Sequence, residues 1–284
     1  MIQRSMLIDV ANEFGQQRGY KSVEFVGKGG FKECFKIVDQ HDNEFALKII
    51  DLNNSDLRRI EREMLILATC DSPLINKLYE FGNFVDKSFN SFSFSVEEYL
   101  GGGTLEEKLN TGLTKENIVE LGTSLIEVLV YIKDKNIVHR DIKPANIMFR
   151  YNSTIPVLVD FGIARDLNRT SLTPTWLPSG PCSPYYASPE QLNNEKDLID
   201  WRTDQFSIGI VIGECFYGTH PFKNHKGSND DAVSNVASRK KCATEFVSLS
   251  NSLGVSIILR MLEPWPHRRY QNPQELLNLF KNLR

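Results

Sequence analysis

The sequence has little that would tie it to a disulfide scaffold, a metal module or a membrane. Its five cysteines (Cys34, Cys70, Cys182, Cys215 and Cys242) are odd in number and scattered, with no C-x-x-C spacing. That argues against a disulfide framework or a zinc site and fits a reducing cytosol. The opening M-I-Q-R-S-M-L-I-D holds no apolar run long enough for a secretory leader or a membrane span, so a cytoplasmic protein is expected. Charge of one sign is also scarce. A formal net charge of -3 gives no electrostatic reason to expect nucleic acid or an anionic membrane as partner. There is no internal repeat and no low-complexity tract. What remains is 41% hydrophobic and 24% charged, the composition of a soluble globular protein with a core. At 284 residues the chain has room for one large domain or two lobes, since domains run to roughly 100–200 residues.

The stretch from residue 138 to 162 is the richest in chemistry. It reads V-H-R-D-I-K-P-A-N-I-M-F-R, then a short turn, then V-L-V-D-F-G. Asp141, Lys143 and Asn146 fall in one loop, and Asp160 follows an apolar strand. A carboxylate and a carboxamide are hard oxygen ligands of the kind Mg²⁺ demands. A second carboxylate, Asp141, is left to accept a proton from an attacking hydroxyl. This arrangement resembles the catalytic loop and metal-binding turn, H-R-D-x-K-x-x-N and D-F-G, of the eukaryotic-type (Hanks-type) serine/threonine protein kinase family. The D-F-G-I-A-R and S-P-E-Q wording is similar to bacterial members.

The resemblance covers residues 20–284 and implies an α+β, bilobal fold. A small, mainly antiparallel β N-lobe with one key helix (residues 21–99) would precede a larger, mainly helical C-lobe (residues 100–284), with residues 1–20 as a helical extension. It implies ATP and Mg²⁺, and a protein substrate with a Ser or Thr acceptor. Asp141 would be the base, Lys143 would neutralise charge on the γ-phosphoryl, and Asn146 and Asp160 would hold the metal. Lys48 would meet the α- and β-phosphates and be held by Glu63 from the next helix. Gly27, Gly29 and Gly30, Cys34, Ala46, Glu98, Leu100 and Met148 would surround the nucleotide. A pseudokinase scaffold and a small-molecule phosphotransferase are the alternative functions.

Residue by residue, the chain adds detail to that outline. Residues 23–51 punctuate like a hairpin meander. The glycine cluster between its first two strands lets backbone N–H groups approach phosphate oxygens. Two positions depart from the family pattern. Lys32 stands at the third glycine, where it would stiffen the loop or add a phosphate contact, and Cys34 stands where valine covers the adenine. A helix over residues 55–69 carries Leu57, Ile60, Met64 and Leu67 at helical intervals, with Glu61 expected in solvent. Glu97 falls at the back of the nucleotide pocket, where the family places an apolar or hydroxyl side chain. Either this carboxylate pairs with a lysine such as Lys48, or the register is shifted by one. Glu98 and Leu100 would offer backbone groups to adenine, and residues 101–103 would give freedom between lobes. Thr114 caps a long helix with an apolar stripe through Ile118, Leu121, Leu125, Val128 and Ile132.

Further on, His139 is expected to pack on Phe161, and Asp204 to bond the catalytic-loop backbone. Glu190 is expected to pair with Arg269, near which Trp265 replaces the family's usual aspartate. Ser183 stands where a threonine contacts the catalytic aspartate. Thr170, Ser171, Thr173, Thr175 and Ser179 are candidate autophosphorylation sites whose phosphate would pair with Arg140. Residues 222–241 read as a polar, irregular, solvated loop.

Overall fold

The computed structural model describes residues 4–29, 32–51, 57–161, 164–166, 183–224 and 227–283. The chain divides into two compact units, Met1–Gly101 and Gly102–Arg284.

The first unit is a five-stranded antiparallel sheet with two helices. In chain order it contains α1 (Arg4–Arg18), β1 (Ser22–Gly29), β2 (Lys32–Val38), β3 (Glu44–Asp51), α2 (Leu57–Ala68), β4 (Leu78–Val85) and β5 (Ser91–Glu98), with strand order β1-β2-β3-β5-β4. Alternation sorts the sheet's side chains into two faces. Phe35, Ile37, Leu47, Ile49, Phe92, Phe94 and Val96 form one, and they are buried with Leu7, Val10, Ala11 and Phe14 of α1. The N-terminal helix is therefore the apolar lid of the first unit's core. The opposite face carries Lys32, Cys34, Ala46, Lys48, Ser95 and Glu97, whose register follows from the pairs Cys34↔Lys48, Lys48↔Ser95 and Ala46↔Glu97.

The β2–β3 and β4–β5 hairpins close with the same chemistry. In each an aspartate opens the turn and its carboxylate accepts backbone N–H groups two and four residues on, Asp39 from His41 and Asn43, Asp86 from Ser88 and Asn90. The hairpin meander expected over residues 23–51 thus has a turn at residues 39–43. Strand β4 runs straight into the β4–β5 turn. It is an edge strand exposed along most of its length.

The second unit is mainly helical. It contains α3 (Leu105–Leu109), α4 (Lys115–Asp134), α5 (Pro189–Leu192), α6 (Trp201–Tyr217), α7 (Asn229–Ala237), α8 (Thr244–Ser252), α9 (Ile257–Met261) and α10 (Pro273–Lys281). Two small antiparallel ribbons complete it: β6 (Ile137–Val138) with β9 (Arg165–Asp166), and β7 (Ile147–Phe149) with β8 (Pro156–Leu158). Helix α4 begins where the sequence placed it, with the Thr114 hydroxyl accepting from the Asn117 N–H. Its whole predicted stripe is buried. It packs on α6 and α10, and the approach is close: a Cβ at Gly122 would stand 2.7 Å from the Phe280 ring and 3.0 Å from Ile212.

One expectation fails here. Residues 229–237, inside the stretch read as an irregular loop, form α7. Ser228 and Asp231 make a reciprocal capping box at its start, and Ala232 and Val236 bury its inner side. A helix of nine residues with only two buried positions leaves too short an apolar period to stand out.

Candidate active site

The catalytic-loop chemistry is assembled within the second unit, and strand register explains how. Strands β7 and β8 pair Ile147 with Leu158, and one step outward the Val159 N–H donates to the Asn146 carbonyl at 3.0 Å. Asn146 ends a 3₁₀ turn (Pro144–Asn146) just before β7, and Asp160 follows just after β8. The ribbon therefore brings the two proposed metal ligands to the same end. Asp160 and Arg140 both have left-handed backbone, with φ of 65° and 68°. For non-glycine residues that is a costly conformation, concentrated at functional sites.

Three donors converge on the Asp141 carboxylate. Asn146 Nδ2 donates to Oδ2 at 3.0 Å and to the Asp141 carbonyl at 2.9 Å. Lys143 Nζ donates to Oδ2 at 2.8 Å, and the Ser183 N–H donates to Oδ1 at 3.1 Å. The Lys143 ammonium also reaches the Ser183 hydroxyl at 2.7 Å. Because the Asn146 amide nitrogen faces Asp141, its amide oxygen is the atom directed elsewhere. One amide oxygen and one carboxylate suit Mg²⁺, which is held by one or two protein oxygens together with phosphate and water. Among the described residues no group of three or more His, Cys, Asp or Glu side chains could hold a metal.

The loop is fixed from beneath. His139 is fully buried and stacks edge-on against Phe161 at 4.7 Å. Its Nε2 lies 3.2 Å from the Val159 carbonyl and its Nδ1 accepts the Asp141 N–H at 3.3 Å. That pair of partners requires the neutral tautomer protonated on Nε2. Burial pulls the His139 pKa down, against the pull of the Asp141 and Asp160 charges. Asp204, fully buried at the start of α6, accepts the His139 and Arg140 N–H groups at 2.7 and 2.8 Å. Burial pushes its carboxyl up to about 7 while those two backbone donors pull the other way.

The S-P-E-Q segment is occupied at each polar position. Arg269 and Glu190, both fully buried, form a two-armed ion pair at 2.7 and 2.9 Å, and Thr203 donates to Glu190 at 2.9 Å. Gln191, which the sequence reading passed over, donates to the Arg140 carbonyl at 2.7 Å while accepting the Ser188 N–H. Its signal was the Ser-x-x-Gln capping box. Trp265 has a different partner from an aspartate: the Arg239 guanidinium lies 3.8 Å over its ring and also pairs with Glu195.

The remaining candidates lie in the first unit, except Met148, which sits in β7 bridged to Thr104. Gly27 pairs with Cys34, and Gly29 with Lys32, across β1 and β2. Ala46 and Lys48 lie on β3, Glu63 on α2, and Glu98 ends β5 with its N–H donating to the Lys77 carbonyl at 2.8 Å. Leu100 is buried. Lys48 Nζ pairs with Glu97 at 2.5 Å, and Glu63 is paired by Lys32 at 2.7 Å. The two readings left open at Glu97 resolve to the first, pairing with Lys48. Gly102 and Gly103 also have a local role. Gly102 donates to the Phe149 carbonyl, and a Cβ on it would fall 2.3 Å from the Arg150 carbonyl oxygen. Gly30, Gly162 and the candidate phosphorylation sites from residue 170 to 179 lie outside the described residues.

A protein kinase domain model matches residues 20–279. A probable serine/threonine-protein kinase MRK1 homolog of Encephalitozoon cuniculi is 33% identical over 218 residues, covering 76% of this chain and 64% of that protein. A probable serine/threonine-protein kinase of Clostridium acetobutylicum is 32% identical over 279 residues, 93% of this chain and 40% of its own length. PrkC, a serine/threonine-protein kinase of Bacillus subtilis, is 28% identical over 264 residues, 90% of this chain and 39% of its own. The chain thus spans less than two thirds of each of these relatives. From residue 20 to residue 279, this chain belongs to the protein kinase domain family.

Proposed function

We propose that the chain is an ATP-dependent serine/threonine protein kinase, acting on hydroxyls of protein substrates and on its own activation segment between residues 170 and 179. The observation that carries this reading is the convergence of Asn146, Lys143 and Ser183 on one carboxylate, Asp141. Three donors fix the direction of its oxygens, which is what a base must have before a hydroxyl arrives. As the acceptor oxygen bonds to the γ-phosphorus and the bond to the β-phosphate breaks, Asp141 receives the hydroxyl proton. The Lys143 ammonium, already at that carboxylate, stands beside the transferring group and opposes its negative charge. Asn146 and Asp160 would supply oxygens to Mg²⁺, which would neutralise phosphate charge.

Lys48, in the first unit, is the proposed partner of the α- and β-phosphates. A lysine two residues after the aspartate agrees with the serine/threonine branch named for the relatives. No helix among the described residues is long and apolar enough to cross a membrane, which is in keeping with a proposed cytoplasmic location.

Incubation with γ-labelled ATP and Mg²⁺, followed by phosphoamino-acid analysis, tests the proposal. Phosphoserine or phosphothreonine that vanishes on chelation of the metal is expected. Label found on a metabolite and never on protein would refute it.

A further inference from the structure

On the polar face of the first unit's sheet, Lys32 and Lys48 meet two buried glutamates, Glu63 of α2 and Glu97 of β5. Glu97 is 1% exposed. Its Oε2 accepts from Lys48 at 2.5 Å and from Asn76 Nδ2 at 2.7 Å, and its Oε1 accepts from the Ser95 hydroxyl at 2.7 Å. Ser95 lies directly opposite Lys48 in the β3–β5 pairing, and Glu97 lies two residues along the same strand on the same face. Glu63 of α2, 7% exposed at its side chain, is paired by Lys32 of β2 at 2.7 Å. Cys34 lies across from Lys48 on β2.

We infer that Glu97, locked by Asn76 and Ser95, is the residue that positions the Lys48 ammonium, and that Lys32 takes Glu63 in order to bind α2 to β2. The inference rests on the proposed kinase reading. A carboxylate whose two oxygens are both engaged by neutral donors, Ser95 on its own strand and Asn76 just before β4, is a fixed anchor. Moving Lys48 away would leave a buried charge uncompensated, which is far costlier than losing an exposed pair. An ammonium has three protons, so Lys48 can keep Glu97 and still donate to phosphate. Its position is then set by the sheet, and a shift of α2 carries Lys32 and Glu63 while the Glu97 anchor stays in place.

Two measurements test this. The first is a set of double-mutant cycles read by urea unfolding, combining Lys48→Met with Glu97→Gln, Lys32→Met with Glu63→Gln, and Lys48→Met with Glu63→Gln. Coupling is expected in the first two cycles and additivity in the third. The second is steady-state phosphorylation by Glu97→Gln and Glu63→Gln. Glu97→Gln should lower kcat by about 10- to 100-fold with a smaller change in the KM for ATP, as misplacement of an orienting group does, and Glu63→Gln should lower it less. If Glu97→Gln does not fold, Glu97→Asp, which keeps the charge and draws it back, replaces it in both measurements. Strong Lys48–Glu63 coupling with none between Lys48 and Glu97, or a larger kcat loss in Glu63→Gln, overturns the inference. A wild type without phosphoryl transfer would refute the kinase reading alone, and the unfolding cycles would still decide the pairing.

Discussion

The two units place their charged residues by different means. In the second, Asp141, Asn146 and Asp160 are set by backbone: the β7–β8 register, a 3₁₀ turn, and the N–H groups that Asp204 accepts. In the first, the lysines and glutamates meet through side chains alone, across three strands and a helix. Backbone placement is tied to spacing along the chain, so a motif carries it. Long flexible side chains with several partners in reach carry no such constraint.

The sharpest way to break this comparison is at the buried ion pair beneath the catalytic loop. Arg269→Ala or Glu190→Ala should cost about 3–5 kcal/mol, since either leaves the partner charged and buried. Chemical denaturation measures it, and a loss below roughly 1 kcal/mol, the scale of an exposed pair, would mean that the second unit's frame is not rigid.

Acid stability offers a second test. His220 is buried, with Nε2 at 2.9 Å from the Tyr185 carbonyl and Nδ1 accepting the Phe222 N–H at 3.2 Å. Burial lowers its pKa to about 4 from 6.5. A group depressed on folding stabilises fully above its unfolded value and loses that contribution as pH falls through its folded one. His220→Gln should therefore melt below wild type at pH 7.5, with the gap closing between pH 6.5 and 4. His139 shifts in the same direction and stays in both proteins, whereas Asp204, raised to about 7, changes in the opposite sense and cancels in the comparison. A gap that widens on acidification would contradict the neutral assignment.

Smaller effects follow at exposed positions. Thr114→Ala removes the hydroxyl that caps α4 and should cost about 1 kcal/mol in urea. In the first unit, Arg18 and Glu80 pair at 2.7 Å, each side chain 44% exposed. Their double-mutant coupling should stay below about 1 kcal/mol and shrink with salt. A larger coupling there would erase the contrast between buried and exposed pairs on which the first unit's account depends.

The same contrast explains what could be read from sequence. The catalytic loop, the Asp204 bonds, the His139–Phe161 contact, the Glu190–Arg269 pair and the Thr114 cap were legible because each follows from local spacing or a fixed motif. Helix α1 was legible only as a helical extension over residues 1–20. Helix α7 was hidden by polarity, since its Ser-x-x-Asp box lies in a stretch with few apolar residues. The partner of Lys48 was only half legible, since pairing with Glu97 was one of two readings open at that position. Glu63 satisfies the expected spacing, and nothing along the chain reports that Asn76 and Ser95 have already locked Glu97 into place.

The central claim is that Asp141 is the base for phosphoryl transfer, and Asp141→Asn tests it most directly, since it keeps the shape and removes the proton acceptor. With γ-labelled ATP and Mg²⁺, incorporation into serine and threonine should fall by about 100- to 10,000-fold relative to wild type, the range for removal of a general base, while the folded content stays the same. Equal labelling by the folded variant and the wild type would contradict it.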